Sequence, residues 1–587
     1  MTSLEIPKFN IHYVKTKLPD IKSLEDYQSN NEYDILNDYN SFSIDKIQHY
    51  NPIYSEFFEL SENTYDKISL NHKYHFINLS NVLDTETNLS VSKPVFIKYS
   101  PLLDPFRYMT GKYKVETETL RVLPKPKNVY KDGEHLCLPK IMDYNNASYT
   151  DNFFSYLTCK LMHQHNFVHG LEYYGSFLGI QKKFKVNISD DMEYLTSSEY
   201  FSQNKNKLFT ITQSEGEDEF NNFGSRTNKS KLTIEDDAVI DISAIPLENI
   251  ETLDSSIFDE TNELVYENKK TTTASSSSSS SSSSNNSETN YSVDEEGNAE
   301  DNASDENCSE DWETGSECSD NDEEEEEEDG DEEDDEDNEF AYINDFPVQL
   351  ICLEKCDGTL DSLFLKQLMG EEEAASAFFQ IIIILISYQK AFQFTHNDLH
   401  TNNIMYVNTE MKYLFYKYNG KIYKVPTYNK IYKIIDFGRS IYKFNGHQFC
   451  SDSFAPGGDG ATQYNCEPYM NEKKARIDPN YSFDLSRLGC SIYDFIIDHG
   501  DDEENFDELQ KTVLRWCTDD NGKNILYRSN GDERYPNFKL YKMIARTVHK
   551  HTPQNQLEHP YFKQYLQKNP KDIKNIIDID VIPAYNL

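Results

Sequence analysis

From Glu288 to Glu339 the sequence carries 29 Asp and Glu and not one Lys or Arg, and ten consecutive serines, Ser275 to Ser284, stand just before it. Neither run can bury enough apolar surface to offset the entropy of ordering it, so no core can pass through this part of the chain. The expected state is a disordered, Ser-rich and acidic insertion over 215–344. Strand-like sequence flanks it: HGLEYYGSFLGI from His169 before, PVQLICLEK from Pro347 to Lys355 after. If those two strands pair, the tract is a loop inside one domain and not a linker between two. We favour the loop, because closing a longer loop costs little more than closing a short one. Of the net charge of −46, the acidic tract accounts for 29 charges, which leaves about −17 on everything else. A chain this acidic repels phosphate backbones, which argues against direct nucleic-acid binding. A mobile polyanion attracts basic proteins instead. Ser319, followed by Asp320, Asn321 and Asp322, stands in an acidic context suited to phosphorylation in trans.

The ten cysteines are scattered without a CxxC pair, as expected of free thiols in a reducing compartment. The N-terminus, MTSLEIPKFN, shows no basic stretch followed by an apolar run. The most apolar segment, Phe378 to Ile386, is too short to span a bilayer. The expectation is a soluble intracellular protein with no membrane partner.

Residues 1–65 are rich in Asn, Asp, Tyr and Ser with weak periodicity, and read as an N-terminal extension of unclear role before a domain over 66–587. Tyr74 to Tyr99 reads as strands, ending in PVFIKY with Lys98 on the last. Residues 100–150 read as an irregular insertion. Asp151 to His163 has helical spacing, with Asp151 as N-cap or first-turn acid. Glu371 to Phe394 is a helix apolar almost all round in its middle, and therefore buried. Lys412 to Val425 is a hairpin turning at Asn419-Gly420, a pair that tolerates positive φ. Lys430 to Gly438 is one more strand ending in a turn, and from Tyr481 onward the pattern is mainly helical, clearest in FDLSRLGCSIYDFI. A strand-rich half followed by a helix-rich half points to a two-lobed α+β domain.

Three elements follow one another in this frame: a strand lysine, Lys98; HNDLHTNN at a helix exit; and IIDFG at a strand end. Phosphoryl transfer needs such parts. Its transition state is charge spread over phosphate oxygens, so catalysis is positioning plus electrostatics. One carboxylate orients the attacking hydroxyl, and Asp398 fits. An acid and an amide oxygen hold magnesium, a hard ion that wants oxygen ligands, and Asp436 and Asn403 fit. A lysine neutralises the phosphates. Taken singly, Asp398 and Asn403 are equally turn and cap residues, and Lys98 an ordinary exposed strand lysine.

H-x-D-L-x-x-x-N and D-F-G are the two signature motifs of protein kinases, and the chain resembles that superfamily from about Tyr74 to Tyr565, acidic insertion excluded. The combination with FIKYSPLLDPFRYMTGKY and the hairpin before IIDFGRS is most similar to the serine/threonine kinases assigned to giant, mimivirus-like DNA viruses, whose place would be host cytoplasm or virion. The resemblance implies a two-lobed kinase-like fold, with a β-rich N-lobe that carries the insertion and a helical C-lobe. It implies ATP and Mg²⁺ as ligands and a protein hydroxyl as acceptor. Asp398 would be the catalytic base, His396 a brace for its loop, Lys98 the contact to ATP phosphates, and Asn403 and Asp436 the Mg²⁺ ligands. Backbone groups of Glu354 and Cys356 would bond the adenine, and Asp484 would anchor the loop's backbone. GATQYNCEPY resembles the end of an activation segment, and HPYFKQY the C-terminal helix region.

Four departures stand out. FINLSNVLDTETNLSVSK, ahead of Lys98, holds no glycine, so the usual close backbone approach to phosphate is missing. The helix from Asp151 to His163 has no glutamate. Alignment on YGSF puts Thr158 where the lysine's partner should stand, with Asp151 two turns away as an open substitute. Asn397 replaces the arginine that reads a phosphorylated activation loop, and His400 replaces a lysine. Two rival readings follow, a pseudokinase scaffold that binds partners and a small-molecule kinase. The long segment between DFG and Asp484 argues for a peptide platform over the latter. His396, Asp398 and His400 alternate as zinc ligands on a strand do, but no cysteine accompanies them.

Overall fold

The computed structural model describes residues 11–214 and 338–587, apart from residues 17, 20, 25–38, 132, 135, 498–502, 569–572, 574 and 587. Contacts divide the chain into one unit of Met1–Arg226 with Asp334–Leu587 and a second, Thr227–Glu333. The second unit, with the serine run and Ser319, lies outside the described residues, as does the rest of the acidic tract through Asp337. The described unit is mixed α+β.

The strands are β1 (Tyr13–Lys15), β2 (Ile44–Gln48), β3 (Ile68–Leu70), β4 (Tyr74–Asn78), β5 (Asn81–Asp84), β6 (Leu89–Ser92), β7 (Val95–Pro101), β8 (Tyr173–Asn187), β9 (Phe209–Ser214) and β10 (Asn338–Glu354). β10 is the spine of a five-stranded sheet ordered β2-β8-β10-β7, with β9 also on β10. Its second half pairs antiparallel with β7, Ile351 facing Lys98, and its first half pairs with β9, Asn338 facing Ser214. β8 runs along nearly all of β10 on the other side. The residues 338–344, expected in the disordered insertion, are therefore strand. Phe340, Ala341, Tyr342 and Ile343 are buried there, which EFAYIN conceals because acidic sequence runs directly into it.

The N-terminal stretch is also more than an extension. β2 adds an edge to the large sheet beside β8, β1 pairs with β3, and Tyr50, Ile53 and Tyr54 are buried. Phe57 stacks on Phe153 with 5.4 Å between ring centroids. Aromatic side chains with few other apolar neighbours give no clean period, so their burial was not legible locally. β4, β5 and β6 form a small meander before β7. Residues 100–150, expected to be irregular, hold short helices at Pro105–Met109, Thr117–Leu120 and Pro139–Met142.

Helix α1 (Ala147–His165) packs on the large sheet, capped by the Asn146 side chain on the Ser148 N–H. It begins one turn ahead of the expected start, so Asp151 is interior rather than terminal. Helix α2 (Glu371–Phe392) carries Glu371, Glu372 and Glu373 in its first turn, complementing the helix dipole. It alone among the described residues is long and apolar enough to cross a membrane, yet it is almost wholly buried in protein. Following it are β11 (Ile404–Asn408), the hairpin β12 (Tyr413–Tyr418) and β13 (Lys421–Pro426), and β14 (Lys430–Ile434) antiparallel to β11. Asn419 and Gly420 hold φ of 49° and 70° at the hairpin turn, as the Asn-Gly pair predicts. Helices α3 (Phe483–Ile496), α4 (Glu508–Trp516) and α5 (Lys539–Thr547) complete the second half. The eight cysteines among the described residues are buried, and none of them is in a disulfide.

Candidate functional site

Lys98 sits on β7 with its side chain nearly buried, and its Nζ lies 2.7 Å from Asp151 Oδ2 and 2.9 Å from Asp436 Oδ1. Burial works against the ammonium charge, but the two carboxylates outweigh it and hold the Lys98 pKa above the usual lysine value. Asp151 is thus the lysine's helix partner. Its other oxygen accepts the Phe437 N–H at 2.9 Å, so one buried carboxylate ties β7, α1 and the Asp-Phe-Gly turn together. Thr158, where alignment had placed the partner, is turned elsewhere: its Oγ1 donates to Ser155 O and accepts from Leu171 N. Thr158 lies two turns, about 10 Å, further along the helix, more than one extra methylene in a glutamate could span, so the partner position on this helix is Asp151.

Asp436 adopts φ 60°, in the left-handed region that costs a non-glycine residue about 1–3 kcal/mol and persists only where the surroundings impose it. The turn is closed by Gly438, whose N–H reaches Asp436 Oδ1 at 3.3 Å. A Cβ on Gly438 would lie 3.2 Å from that oxygen. Phe437 packs against Phe154, Phe394 and His396 with centroids 4.7, 5.9 and 5.8 Å apart, anchoring the turn in the core. Burial raises the cost of charge on Asp436, but Lys98 prevails and its pKa lies below the usual carboxylate value.

The loop from His396 to Asn403 is held from three sides. Asp484, in the first turn of α3 and fully buried, accepts the N–H groups of both His396 and Asn397 at 2.9 Å. His396 Nε2 donates to Ile435 O at 2.9 Å, so its Nδ1 is the acceptor that faces the Asp398 N–H at 3.3 Å. That imidazole braces the loop against the strand leading into Asp436. Asn397, at φ 66°, donates to Arg439 O and accepts the Tyr464 hydroxyl at 2.7 Å. The residue standing where an arginine was expected therefore locks the loop to the segment after Asp-Phe-Gly by neutral bonds.

Asn403 Nδ2 donates to Asp398 O at 2.9 Å and to His400 Nε2 at 3.0 Å. Both amide hydrogens are spent, so Oδ1 is the atom it has for a ligand. Burial pushes the His400 pKa down to about 4, which keeps the imidazole neutral and able to accept that bond. His400 is no substitute for a cation. Asp398 is buried, and its Oδ1 accepts the Tyr541 hydroxyl at 2.7 Å from α5. Positive charge arrives from outside the loop. The guanidinium carbons of Arg439 and Arg487 lie 5.5 and 5.0 Å from the Tyr541 ring centroid, and both feel the Asp398 charge.

Glu354 and Cys356 lie at the end of β10. The Glu354 N–H donates to Glu172 O at 3.0 Å, and its side chain takes the Glu172 N–H and the Lys433 ammonium, so a ligand here must use its carbonyl. Lys355 and Asp357 also donate their N–H groups within the protein, to Pro94 O and Tyr406 O. Among the described residues the Cys356 N–H has no such acceptor. Its thiol is buried, with the pKa pushed up to about 12 by desolvation. Cys159, His163 and Glu172 stand close enough together to suggest a metal site. Glu172 is already bonded by His163 at 2.5 Å, Lys93 at 3.5 Å and the Cys159 thiol at 3.7 Å, which accounts for the cluster by contacts among its own side chains.

The structure thus brings Lys98, Asp398, Asn403, Asp436 and His396 into one continuous network. Sequence reading missed Tyr541, Arg439 and Arg487, which lie at no motif distance from Asp398; only Arg487, three residues after Asp484 and so on the same helical face, gave a signal. No family model matches the chain, and no curated protein matches it.

Proposed function

We propose that the chain is an ATP- and Mg²⁺-dependent protein kinase that transfers the γ-phosphoryl group to a serine or threonine hydroxyl, built on a two-lobed kinase-like fold. The observation that carries this reading is the double anchoring of Lys98 by Asp151 and Asp436, with Asp151 also holding the backbone of the Asp-Phe-Gly turn. A structural ion pair would need neither the second carboxylate nor the strained Asp436 backbone. The donors fit magnesium: a carboxylate on Asp436 and the Asn403 amide oxygen are hard oxygen ligands, and no thiolate stands among them. When bound, the ion neutralises the phosphate oxygens.

Each residue then has a role. Lys98 pairs with phosphate oxygens while Asp151 holds it in place. Asp398 orients the acceptor hydroxyl and takes its proton through the oxygen that Tyr541 leaves unbonded. His396 and Asp484 fix the loop so that the carboxylate and the Asn403 amide keep their spacing. The Cys356 N–H and the Glu354 carbonyl offer one donor and one acceptor to the adenine edge.

One observation favours the scaffold reading instead: no glycine stands in the meander before Lys98 to approach phosphate closely. Radiolabelled ATP separates the two. Transfer to a histone mixture or casein is expected from wild type and lost in Asp398→Asn and Asp436→Ala. Transfer that persists in both variants sinks the mechanism, and ATP binding without transfer in wild type leaves the scaffold.

A further inference from the structure

The loop that carries Asp398 has no cation of its own, yet it places a carboxylate in a buried position. Its backbone is well tied, by His396 at the N–H and Asn403 at the carbonyl. The carboxylate itself has one hydrogen bond among the described residues, from the Tyr541 hydroxyl. Without that bond the group is free to turn about its last torsion, which is broad for a carboxylate.

Tyr541 is itself fixed. It projects from the buried face of α5 with Leu540, Ile544 and Ala545. Its ring stacks on Phe538 with centroids 5.2 Å apart and lies 6.2 Å from Phe483. Arg439 and Arg487 flank the same ring. Each of these arginines is buried, and each keeps Nε and Nη2 without a hydrogen-bond partner. Arg439 also pairs with Asp459 through Nη1 at 2.5 Å, and what remains of its charge, with that of Arg487, faces the ring and Asp398. Two cations against the ring face draw electron density from the phenol and make its hydroxyl a stronger donor. A ring wedged this way is built to hold a position, which argues against a removable plug over the carboxylate.

We infer that Tyr541, polarised by Arg439 and Arg487, is a positioning residue that holds Asp398 by Oδ1 and turns Oδ2 toward the acceptor hydroxyl. It does from a distant helix what basic residues within the loop would otherwise do. The inference rests on reading Asp398 as the base in phosphoryl transfer. Its specific content is that the aim of Asp398, and neither nucleotide binding nor folding, depends on one phenol oxygen.

The test is Tyr541→Phe, which removes that oxygen alone, assayed as ³²P transfer from Mg-ATP to histone or casein or to the chain itself. The expected result is a fall of about tenfold or more in kcat, with KM for ATP within about twofold and an unchanged far-UV spectrum. Should Tyr541→Phe not fold, Arg487→Lys replaces it; the lysine keeps the charge and loses the flat contact, and about a threefold fall in kcat is expected. Wild-type transfer with full kcat in the variant overturns the inference and leaves the proposed function standing. A rise in kcat overturns it in favour of a plug. Absence of transfer in wild type, under conditions where Mg-ATP binds, overturns the proposed function and the inference with it.

Discussion

Replacing Asp151 by alanine removes the one carboxylate that bonds both Lys98 and the Asp-Phe-Gly turn, and the cost can be worked from its two bonds. The Phe437 N–H, 2.9 Å from Asp151 Oδ1, is left buried without an acceptor, which costs about 1–3 kcal/mol. One of the two charged bonds of Lys98 also goes, worth about 1.5–3 kcal/mol. Against this, burial disfavours the Asp151 charge, and its pKa is raised above the usual aspartate value, with Asp436 adding repulsion. Relief of both reduces the net loss to about 2–4 kcal/mol. Asp151→Asn keeps an acceptor for Phe437 but turns its NH2 toward Lys98, so it loses the charged bond and not the neutral one, and about 1–2 kcal/mol is expected after the relief of burying the charge. Thr158→Ser, at the position the alignment favoured, keeps its two hydrogen bonds and is expected to cost less than about 0.5 kcal/mol. Urea unfolding followed by fluorescence and circular dichroism gives all three from the midpoints at constant slope. The pH dependence adds a check. Because the Asp151 pKa is raised on folding, its contribution favours the folded state below the unfolded carboxylate pKa and is lost as pH rises through the folded one. Asp151→Asn should remove that part of the slope. Equal stability of wild type and Asp151→Ala, or equal damage from the alanine and asparagine variants, would refute the bridging role.

Burial depresses the His169 pKa to about 4, so the folded state holds it neutral while the unfolded chain protonates below about pH 6.5. Stability should therefore fall as pH drops from about 6.5 to 4, by about 3 kcal/mol for this group, and His169→Gln should flatten that limb in pH-dependent urea titrations. Glu172 goes the other way: burial raises its pKa, but His163 and Lys93 outweigh burial and hold it low. Its contribution is present above the unfolded carboxylate pKa and is lost as pH falls through the folded value, so Glu172→Gln should weaken the acid dependence measured in the same titration. Asp484→Ala strips two buried N–H groups of their acceptor and should lower stability by about 2–5 kcal/mol, read as a fall in Tm, while an unchanged Tm would dismiss the anchoring role. Replacing 215–337 with a short Asn-Gly turn should leave Tm unchanged, since Ser214 and Asn338 already stand opposite each other; extending the deletion through 344 removes Phe340 to Ile343 from the core and should cost the soluble protein.

By itself the sequence determined whatever a short window controls. The uninterrupted apolar run of α2 could only be buried in protein or lipid, and the Asn419-Gly420 turn could only join neighbouring strands. The motifs around Asp398 and Asp436 placed a carboxylate, an amide and a turn at spacings that a chain keeps wherever it folds. Tertiary structure decided everything that depends on which residues meet from afar. Asp151 and Thr158 lie on one helix, and only the approach of β7 and the Asp-Phe-Gly turn selects Asp151 as the partner of Lys98. Tyr541 reaches Asp398 from a helix far along the chain, and no local pattern encodes that distance. The aromatic stretch near Tyr50 and the start of β10 read as polar sequence because their partners, Phe153 and β9, lie far away in the chain. Periodicity reports the face a segment buries when its neighbours are uniform; it is silent where burial comes from a few aromatic contacts or a single buried charge pair.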